Sequence, residues 1–426
     1  ENITFDEKDN LIIKGNNLIA IASLLKRYEG KVKCIYIDPP YNTGNDSFNY
    51  NDSFNHSTWL VFMKNRLELA RRLLSEDGVI FVQCDDNEQA YLKVLMDDVF
   101  GRGNFVADFI RKTKSTTNDA KTGINIQHEN CLCFAKNKNN INLLGGQKNL
   151  SNYKNPDNDP NGAWISDNPS AATGTKEKSW FGVTNPFTNK IDYPPKGRFW
   201  LFSKNTLQKH IDEGRICFKK EHKEDERGFI YKRYLKDLKT TKQTLNTLDF
   251  ISNDFMNQVA TKESKLLGFV DDFSYPKPEF LLLKIFEHST KESDLILDFF
   301  LGSGTTAVVA HKMNRRYIGI EQMDYINDIT VERLKKVIDG EQGGISKSVN
   351  WNGGGSFVYC ELLENANSLI NQIQEASEEN ISIIKKLIYS DNRIVPYLTT
   401  QELQDVDKEF ETLSLKDKKQ ALIKLI

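Results

Sequence analysis

The chain has 426 residues, 39% of them apolar and 27% charged, with 57 Lys and Arg against 59 Asp and Glu for a net charge of -2. That length calls for two or three domains, and that composition excludes a disordered or membrane-embedded chain; its apolar runs, such as 281–283 and 295–297, fall far short of the roughly 18 residues of a membrane span. A global basic field is also excluded, so nucleic-acid binding would require the basic residues to gather on one face.

Taken in chain order, the first stretch alternates strands and helices. Val32–Ile37 is a short β-branched run that stops at Asp38-Pro39-Pro40-Tyr41, a buried strand leading into a rigid turn. Residues 59–74 place apolar side chains at 59, 60, 63, 67, 70 and 74, which is helical spacing, with Asp77-Gly78 expected to end the helix. Val79–Val82 reads as a second buried strand, and Asp85, Asp86 or Asn87 as the cap of a helix reaching Phe100. Such alternation predicts a parallel, doubly wound sheet.

The pattern dissolves after Cys133. Asn, Gly and Pro dominate 137–161, and Trp164, Trp180, Phe181, Phe187, Tyr193, Phe199 and Trp200 follow without a helical period, as in an irregular mixed module. Residues 190–242 carry fifteen basic and eight acidic side chains, the segregation a near-neutral nucleic-acid binder needs. Alternation resumes with a helix from Pro278 to about Glu287, a strand Leu295–Asp298, a helix from Ala307 to Lys312, a strand Tyr317–Ile320 ending at Glu321, and a strand Ser356–Cys360 after Gly353-Gly354-Gly355. From Glu361 onward apolar residues recur at helical spacing (369, 370, 373, 381, 384, 387, 388). Glu1 rather than Met opens the chain and Leu425-Ile426 breaks off in mid-pattern, so the sequence is expected to continue at both ends. Six scattered cysteines without Cys-x-x-Cys predict reduced thiols and a cytoplasmic setting. His210, Cys217 and His222 fit no usual ligand spacing, so no metal is expected.

Two motifs carry chemistry. Asp298-Phe299-Phe300-Leu301-Gly302-Ser303-Gly304-Thr305-Thr306 is a strand, a Gly-x-Gly turn and a helix start. The glycines let backbone approach a ligand, and the helix N-terminus favours an anionic group. Glu321 ends the next strand, where a carboxylate can accept ribose hydroxyls. A third glycine is absent, since Ala307 stands in its place. A dinucleotide is therefore disfavoured relative to one nucleoside with a short charged tail, and S-adenosylmethionine is the candidate cofactor. An ordinary tight turn with a surface Glu is the bland alternative. The second motif is Asp38-Pro39-Pro40-Tyr41 at the carboxyl end of a parallel strand, where such sheets place their ligands. The Asp38 carboxylate and the Pro39 carbonyl are convergent acceptors, and Tyr41 adds an aromatic face. That set suits a planar ring bearing an exocyclic amine.

Asp38 to Tyr41, continuing as Asn42-Thr43-Gly44, resembles the catalytic motif of amino-group DNA methyltransferases of the adenine N6 branch, and Asp298–Thr306 resembles their cofactor motif. The catalytic motif comes first, as in the circularly permuted beta class, and more narrowly the chain resembles the modification (Mod) subunits of type III restriction systems and their stand-alone relatives. The likeness covers residues 10–136 and 270–362. It implies a Rossmann-like doubly wound methyltransferase sheet with an inserted mixed α/β recognition domain and a helical C-terminal extension. The expected boundaries are 1–136 for the catalytic half, 137–268 for the target-recognition insert, 269–362 for the cofactor half and 363–426 for the helical region. It further implies that Asp38 and Pro39, with Pro40 fixing the turn, hold the target amine and that Tyr41 stacks on a flipped-out base in double-stranded DNA. The resemblance also implies that Asp298, Phe299, Phe300 and the Gly302–Thr306 turn hold the methionine end of the cofactor, that Glu321 takes the ribose, that Lys277 lies near the cofactor carboxylate, and that Asp38 is among the cofactor-binding residues as well. The family pattern has Gly-Asp near the first helix; this chain has Gly15-Asn16, where Asn16 can still bond an adenine edge. In the insert, Arg198, Arg227 and Arg233 are the expected phosphate contacts. The tail suggests a homodimer contact, docking of a restriction (helicase–nuclease) subunit, or a helical cap on the chain's own core. A cytosine-N4 methyltransferase and a catalytically inert DNA-binding specificity subunit are the alternatives; a nicotinamide-dependent dehydrogenase ranks last.

Overall fold

The computed structural model describes residues 6–43, 55–116, 123–269, 276–362, 365–390 and 410–425. Gly44 of the Asp38 motif and Ile426 at the end of the tail lie outside the described residues. The chain divides into two compact units, one of residues 1–145 with 244–426 and one of residues 146–243.

The larger unit is built on an eight-stranded sheet. Its first half holds β1 (Leu11–Lys14), α1 (Asn17–Tyr28), β2 (Val32–Ile37), α2 (His56–Leu73), β3 (Leu74–Cys84), α3 (Gln89–Met96), β4 (Phe105–Lys112) and β5 (His128–Ala135). Its second half holds α4 (Asn257–Leu266), α5 (Glu279–Ser289), β6 (Leu295–Asp298), α6 (Thr305–Lys312), β7 (Arg316–Glu321), α7 (Glu332–Ile338) and β8 (Val358–Glu361). The strand order is β8-β1-β7-β6-β2-β3-β5-β4. The first six are parallel and β5 is antiparallel to both neighbours.

The central strands are apolar along their whole length because both faces are covered, and successive side chains enter opposite cores. Ile35, Ile37, Ile80 and Val82 pack with α1 and α2 residues such as Leu24, Met63 and Leu67. Cys34, Tyr36, Val79 and Phe81 pack on the other face with Leu282, Phe286, Val308 and Leu334 of α5, α6 and α7. The predicted doubly wound α/β class is the observed one.

Some element ends differ from the sequence reading. Asp77-Gly78 does not end α2. The helix stops at Leu73 and β3 begins at Leu74, with an irregularity in its pairing to β2 between Val32 and Cys34 that absorbs these residues. A side chain at Gly78 would press on the Val32 carbonyl at 2.9 Å, so the glycine serves the sheet. Neither Asp85, Asp86 nor Asn87 is the N-cap of α3; Glu88 occupies that position, without a side-chain capping bond.

Residues 244–257 complete the larger unit at the β4 edge. The Ile110 and Lys112 N–H groups donate to the Thr247 and Phe250 carbonyls, both at 3.0 Å, which covers an otherwise open edge. The tail forms α8 (Asn365–Glu375), α9 (Ile381–Ser390) and α10 (Leu415–Leu425), whose Ile373, Ile384, Ile388 and Leu422 share a core with Phe410. Among the described residues no helix is long and apolar enough to cross a membrane.

The smaller unit is the irregular β module. Phe229–Tyr234 pairs antiparallel with both Trp164–Asp167 and Ile216–Phe218, and Val183, Trp200, Phe202, Ile216 and Phe229 form its core. It is narrower than the expected 137–268 span, because 137–145 and 244–268 belong to the larger unit.

Candidate active site

Strands β2 and β6 are hydrogen-bonded neighbours, yet the chain leaves them in opposite directions, from β2 to β3 on one side and from β6 to β7 on the other. This reversal opens a crevice at the carboxyl ends of the strands, the place where open α/β sheets bind ligands. Asp38 follows β2, Asp298 ends β6 and Glu321 ends β7. Topology therefore gathers three carboxylates that are far apart in sequence at the ends of three adjacent strands.

Both oxygens of Asp38 are engaged. Its Oδ1 accepts from the Tyr41 hydroxyl at 2.6 Å and its Oδ2 from the Lys277 ammonium at 2.5 Å. The Lys277 Nζ also lies 5.4 Å from the Tyr41 ring centroid. Burial pushes the Lys277 pKa down, the Asp38 charge opposing it, while burial and then Asp38 push the Tyr41 phenol well up. Pro39 is buried, and the Pro40 carbonyl accepts from the Trp59 indole at 2.8 Å, which pins the turn to α2. Asn42 adopts a positive φ of 59°, and its amide donates to Glu88 Oε1 at 2.8 Å. That carboxylate also meets His56 Nδ1 at 2.9 Å, so buried Glu88 ties the end of the motif to the start of α2.

The cofactor-motif residues are buried and mutually bonded. Asp298 Oδ1 accepts from the Phe300 N–H at 2.9 Å and Oδ2 from the Thr306 hydroxyl at 2.6 Å. Burial raises the Asp298 pKa to about 7, with the charges of Asp38 and Glu321 adding to the rise and the two hydrogen bonds opposing it. Glu321 accepts three backbone N–H groups, from Gly302 at 2.9 Å, Gln322 at 2.8 Å and Met323 at 3.0 Å. Phe299 and Phe300 are buried, with ring centroids 5.3 Å apart.

Several residues that the sequence reading passed over hold this turn in place. The Thr330 hydroxyl donates to the Gly302 carbonyl at 2.7 Å. Arg333, on the same helical run three residues later, donates to Thr305 Oγ1 at 3.0 Å, to the Ser303 carbonyl at 3.3 Å and to Glu279 Oε1 at 3.0 Å. Buried Asn17 donates to the Phe299 carbonyl at 2.7 Å and accepts from Arg66 Nε at 2.7 Å. The sequence signal was available for Asn17, a polar residue in an apolar helical face. Asn16 itself is the N-cap of α1, its Oδ1 accepting from Leu18 and Ile19 N–H at 3.0 and 3.4 Å.

Two of the three arginines singled out in the smaller unit turn inward. Arg198 is bonded to the Ser170 hydroxyl at 2.9 Å and to the Ser170 carbonyl. The Arg227 guanidinium lies 5.5 Å from the Phe229 ring centroid, and burial lowers its pKa. Arg233 is exposed, with Asp167 at 3.3 Å.

The chain resembles known proteins in a consistent way. A family model described as DNA methylase matches residues 32–332, which span both motifs. The chain is 40% identical to a protein of Haemophilus influenzae named as a probable type III restriction-modification enzyme HindVI Mod subunit, over 98% of this chain and 63% of that one. It is 33% identical to the StyLTI Mod subunit of Salmonella typhimurium, over 72% of this chain and 50% of that one. It is 32% identical to the EcoPI Mod subunit of Escherichia phage P1, over 75% and 58%. The chain thus spans between half and just under two thirds of the length of these relatives. With the family model covering both strand-end motifs and the sheet between them, the chain belongs to the DNA methylase family.

Proposed function

We propose that this chain transfers a methyl group from S-adenosylmethionine to the N6 amine of an adenine flipped out of double-stranded DNA, as the modification component of a restriction–modification system. One observation carries the reading: the Asp38–Tyr41 turn and the carboxyl groups of Asp298 and Glu321 lie at the ends of adjacent strands, at the reversal point of the sheet. The donor set fits the cofactor. Three carboxyl groups line the crevice, where burial, with the charges of Asp38 and Glu321 adding to it, raises the Asp298 pKa, and the cofactor carries a sulfonium and an ammonium. Glu321 would hold the ribose, Asn16 would bond the adenine edge, and the Gly302–Thr306 turn with Asp298, Phe299 and Phe300 would hold the amino-acid end, with Lys277 to pair with its carboxylate. When bound, the cofactor supplies an electrophilic methyl group.

An exocyclic adenine amine is a weak nucleophile because its lone pair is delocalised into the ring. The Asp38 carboxylate and the Pro39 carbonyl accept its two N–H bonds and draw the nitrogen out of the ring plane, which restores lone-pair density. The same acceptors favour the positive charge that develops on nitrogen as the new bond forms. The Trp59–Pro40 and Glu88–Asn42 bonds keep the turn rigid, so little orientation is lost at the moment of reaction. Tyr41 offers its ring to the base, replacing stacking worth roughly 1–3 kcal/mol.

The smaller unit, 146–243, reads the DNA. Its exposed Lys176, Lys178, Lys196, Lys220 and Arg233 contact phosphates. The α8–α10 helices, which expose Ile383, dock a second copy or a restriction subunit. Sequencing genomic DNA from a methylation-deficient bacterial host that expresses this chain tests the reading. N6-methyladenine in one fixed motif is the expected result. A fixed motif marked at the cytosine amine would move the substrate to cytosine. Sequence-specific DNA binding with no mark and no affinity for S-adenosylhomocysteine would overturn the enzyme in favour of an inert specificity subunit.

A further inference from the structure

The Lys277–Asp38 pair is not what a lysine dedicated to a cofactor carboxylate would make. The ammonium donates to one oxygen of the acceptor proposed for the target amine, and it lies against the ring proposed to stack on the target base. It is a nitrogen donor beside an aromatic face, the arrangement that an adenine amine would itself bring to Asp38 and Tyr41. With the Tyr41 hydroxyl on the other oxygen, the carboxylate meets the chain's own donors on both sides. Lys277 is also held at its base. Pro278 caps α5, and one residue further Glu279 is locked by Lys312 at 2.9 Å, Arg333 at 3.0 Å and the Ile345 N–H at 3.1 Å, all buried. Only the lysine side chain is left to move, and its length lets the ammonium swing between two anions without displacing the backbone.

We propose that Lys277 is a shared cation: it occupies Asp38 as a stand-in for the target amine, and the carboxylate of the bound cofactor draws it off, so that Asp38 becomes available to the base only once the cofactor is in place. This rests on the methyltransferase reading above and adds to it an order of events. The two anions compete for one ammonium, which makes cofactor binding and base capture linked equilibria. Weakening the hold of Asp38 on Lys277 must therefore strengthen its hold on the cofactor carboxylate, and the gain must vanish when Lys277 is removed.

The experiment is calorimetric titration of the chain with two probes, S-adenosylhomocysteine, which carries the carboxylate, and 5′-methylthioadenosine, which lacks it. Asp38→Asn is expected to tighten S-adenosylhomocysteine about fivefold or more, a coupling of ordinary size. Lys277→Met is expected to weaken it by a similar factor or more. Neither substitution should change 5′-methylthioadenosine affinity, which also shows that each variant keeps a folded nucleoside site. In the Lys277→Met background, Asp38→Asn should have no further effect. Unchanged or weakened S-adenosylhomocysteine binding in Asp38→Asn overturns the exchange. So does tightening that persists without Lys277, since it would come from simple charge repulsion. A wild-type chain that binds neither probe fails the methyltransferase reading itself and takes the exchange with it. Binding of both probes with no coupling between the two residues removes the exchange alone.

Discussion

Asp38 carries the sharpest residue-level prediction. Asp38→Ala removes the acceptor for the target amine, whereas no part of the nucleoside pocket is built on it. Methyl transfer to DNA should fall below detection while S-adenosylhomocysteine affinity improves, because Lys277 loses its partner; residual transfer near the wild-type rate would remove Asp38 from the mechanism. Asp298 makes a second prediction, through pH. Its carboxyl titrates near 3.8 when exposed and near 7 when folded, because burial beside Asp38 and Glu321 penalises its charge. A raised carboxyl pKa means that the unfolded chain releases this proton first, so the group's contribution to stability falls as pH rises from about 4 to about 7 and is constant above that. Asp298→Asn cannot ionise. It should gain on the wild type across that window by an amount on the order of a few kcal/mol at most. Urea denaturation at pH 5, 6, 7 and 8 reads this directly, and a flat difference would contradict it. At this scale the sequence announced the carboxylates, because strand ends and turn chemistry are local signals. It could not announce what they touch. Lys277 and Asp38 are brought together only by the sheet, and Arg198 and Arg227 looked like surface charges until Ser170 and the aromatic core claimed them.

At the scale of elements, the Gly-x-Gly turn has a structural reason beside any ligand. Gly304 adopts φ of 83°, and a side chain there would come within 2.8 Å of the Thr330 methyl. The turn is thus shaped by the helical run behind it, which also supplies the Arg333 guanidinium. Gly304→Ala should cost roughly 2–4 kcal/mol, the left-handed backbone and the overpacking each contributing. Thr330→Ser keeps the hydroxyl bonded to the Gly302 carbonyl and deletes the methyl. Combined with Gly304→Ala it should recover the overpacking part but not the backbone part. Denaturation midpoints of the two single variants and the double variant separate these contributions, and strictly additive losses would show that the methyl is not the obstacle. Short apolar runs made β2, β6 and β7 legible, helical spacing made α2 legible, and Pro278 marked the start of α5. The sequence reading misplaced the α2–β3 junction, because Asp77-Gly78 looks like a helix stop when read locally and lies in the strand only because β2 pairs beside it. Thr330 and Arg333 gave no signal at all, since a helix that buttresses a loop has no sequence period of its own.

For the molecule as a whole, the composition shift after Cys133 revealed a second module, but not its limits. Its edges are set by pairing. The strands Leu144–Gln147 and Lys242–Thr244 form one small sheet where the chain enters and leaves the smaller unit, and the Lys148 N–H donates to the Thr241 carbonyl at 2.8 Å. Entry and exit are therefore adjacent, and a short Gly-containing turn in place of residues 149–240 would close the gap without pulling on β5 or α4. The module also has a core of its own, around Trp200 and Phe229. The division of labour proposed above then has a direct consequence. The shortened chain should fold and bind S-adenosylhomocysteine within about twofold of the full chain, as independent sites do, and should lose sequence-specific DNA binding. In the full chain, Arg233→Ala should reduce the slope of log affinity against log salt by roughly 0.9, one phosphate contact, whereas Arg198→Ala should lower the stability of the module instead. Salt titrations of DNA binding and thermal unfolding of the same variants separate these outcomes. If cofactor affinity collapsed with the module removed, the two units would be parts of one binding site rather than a reader attached to an enzyme.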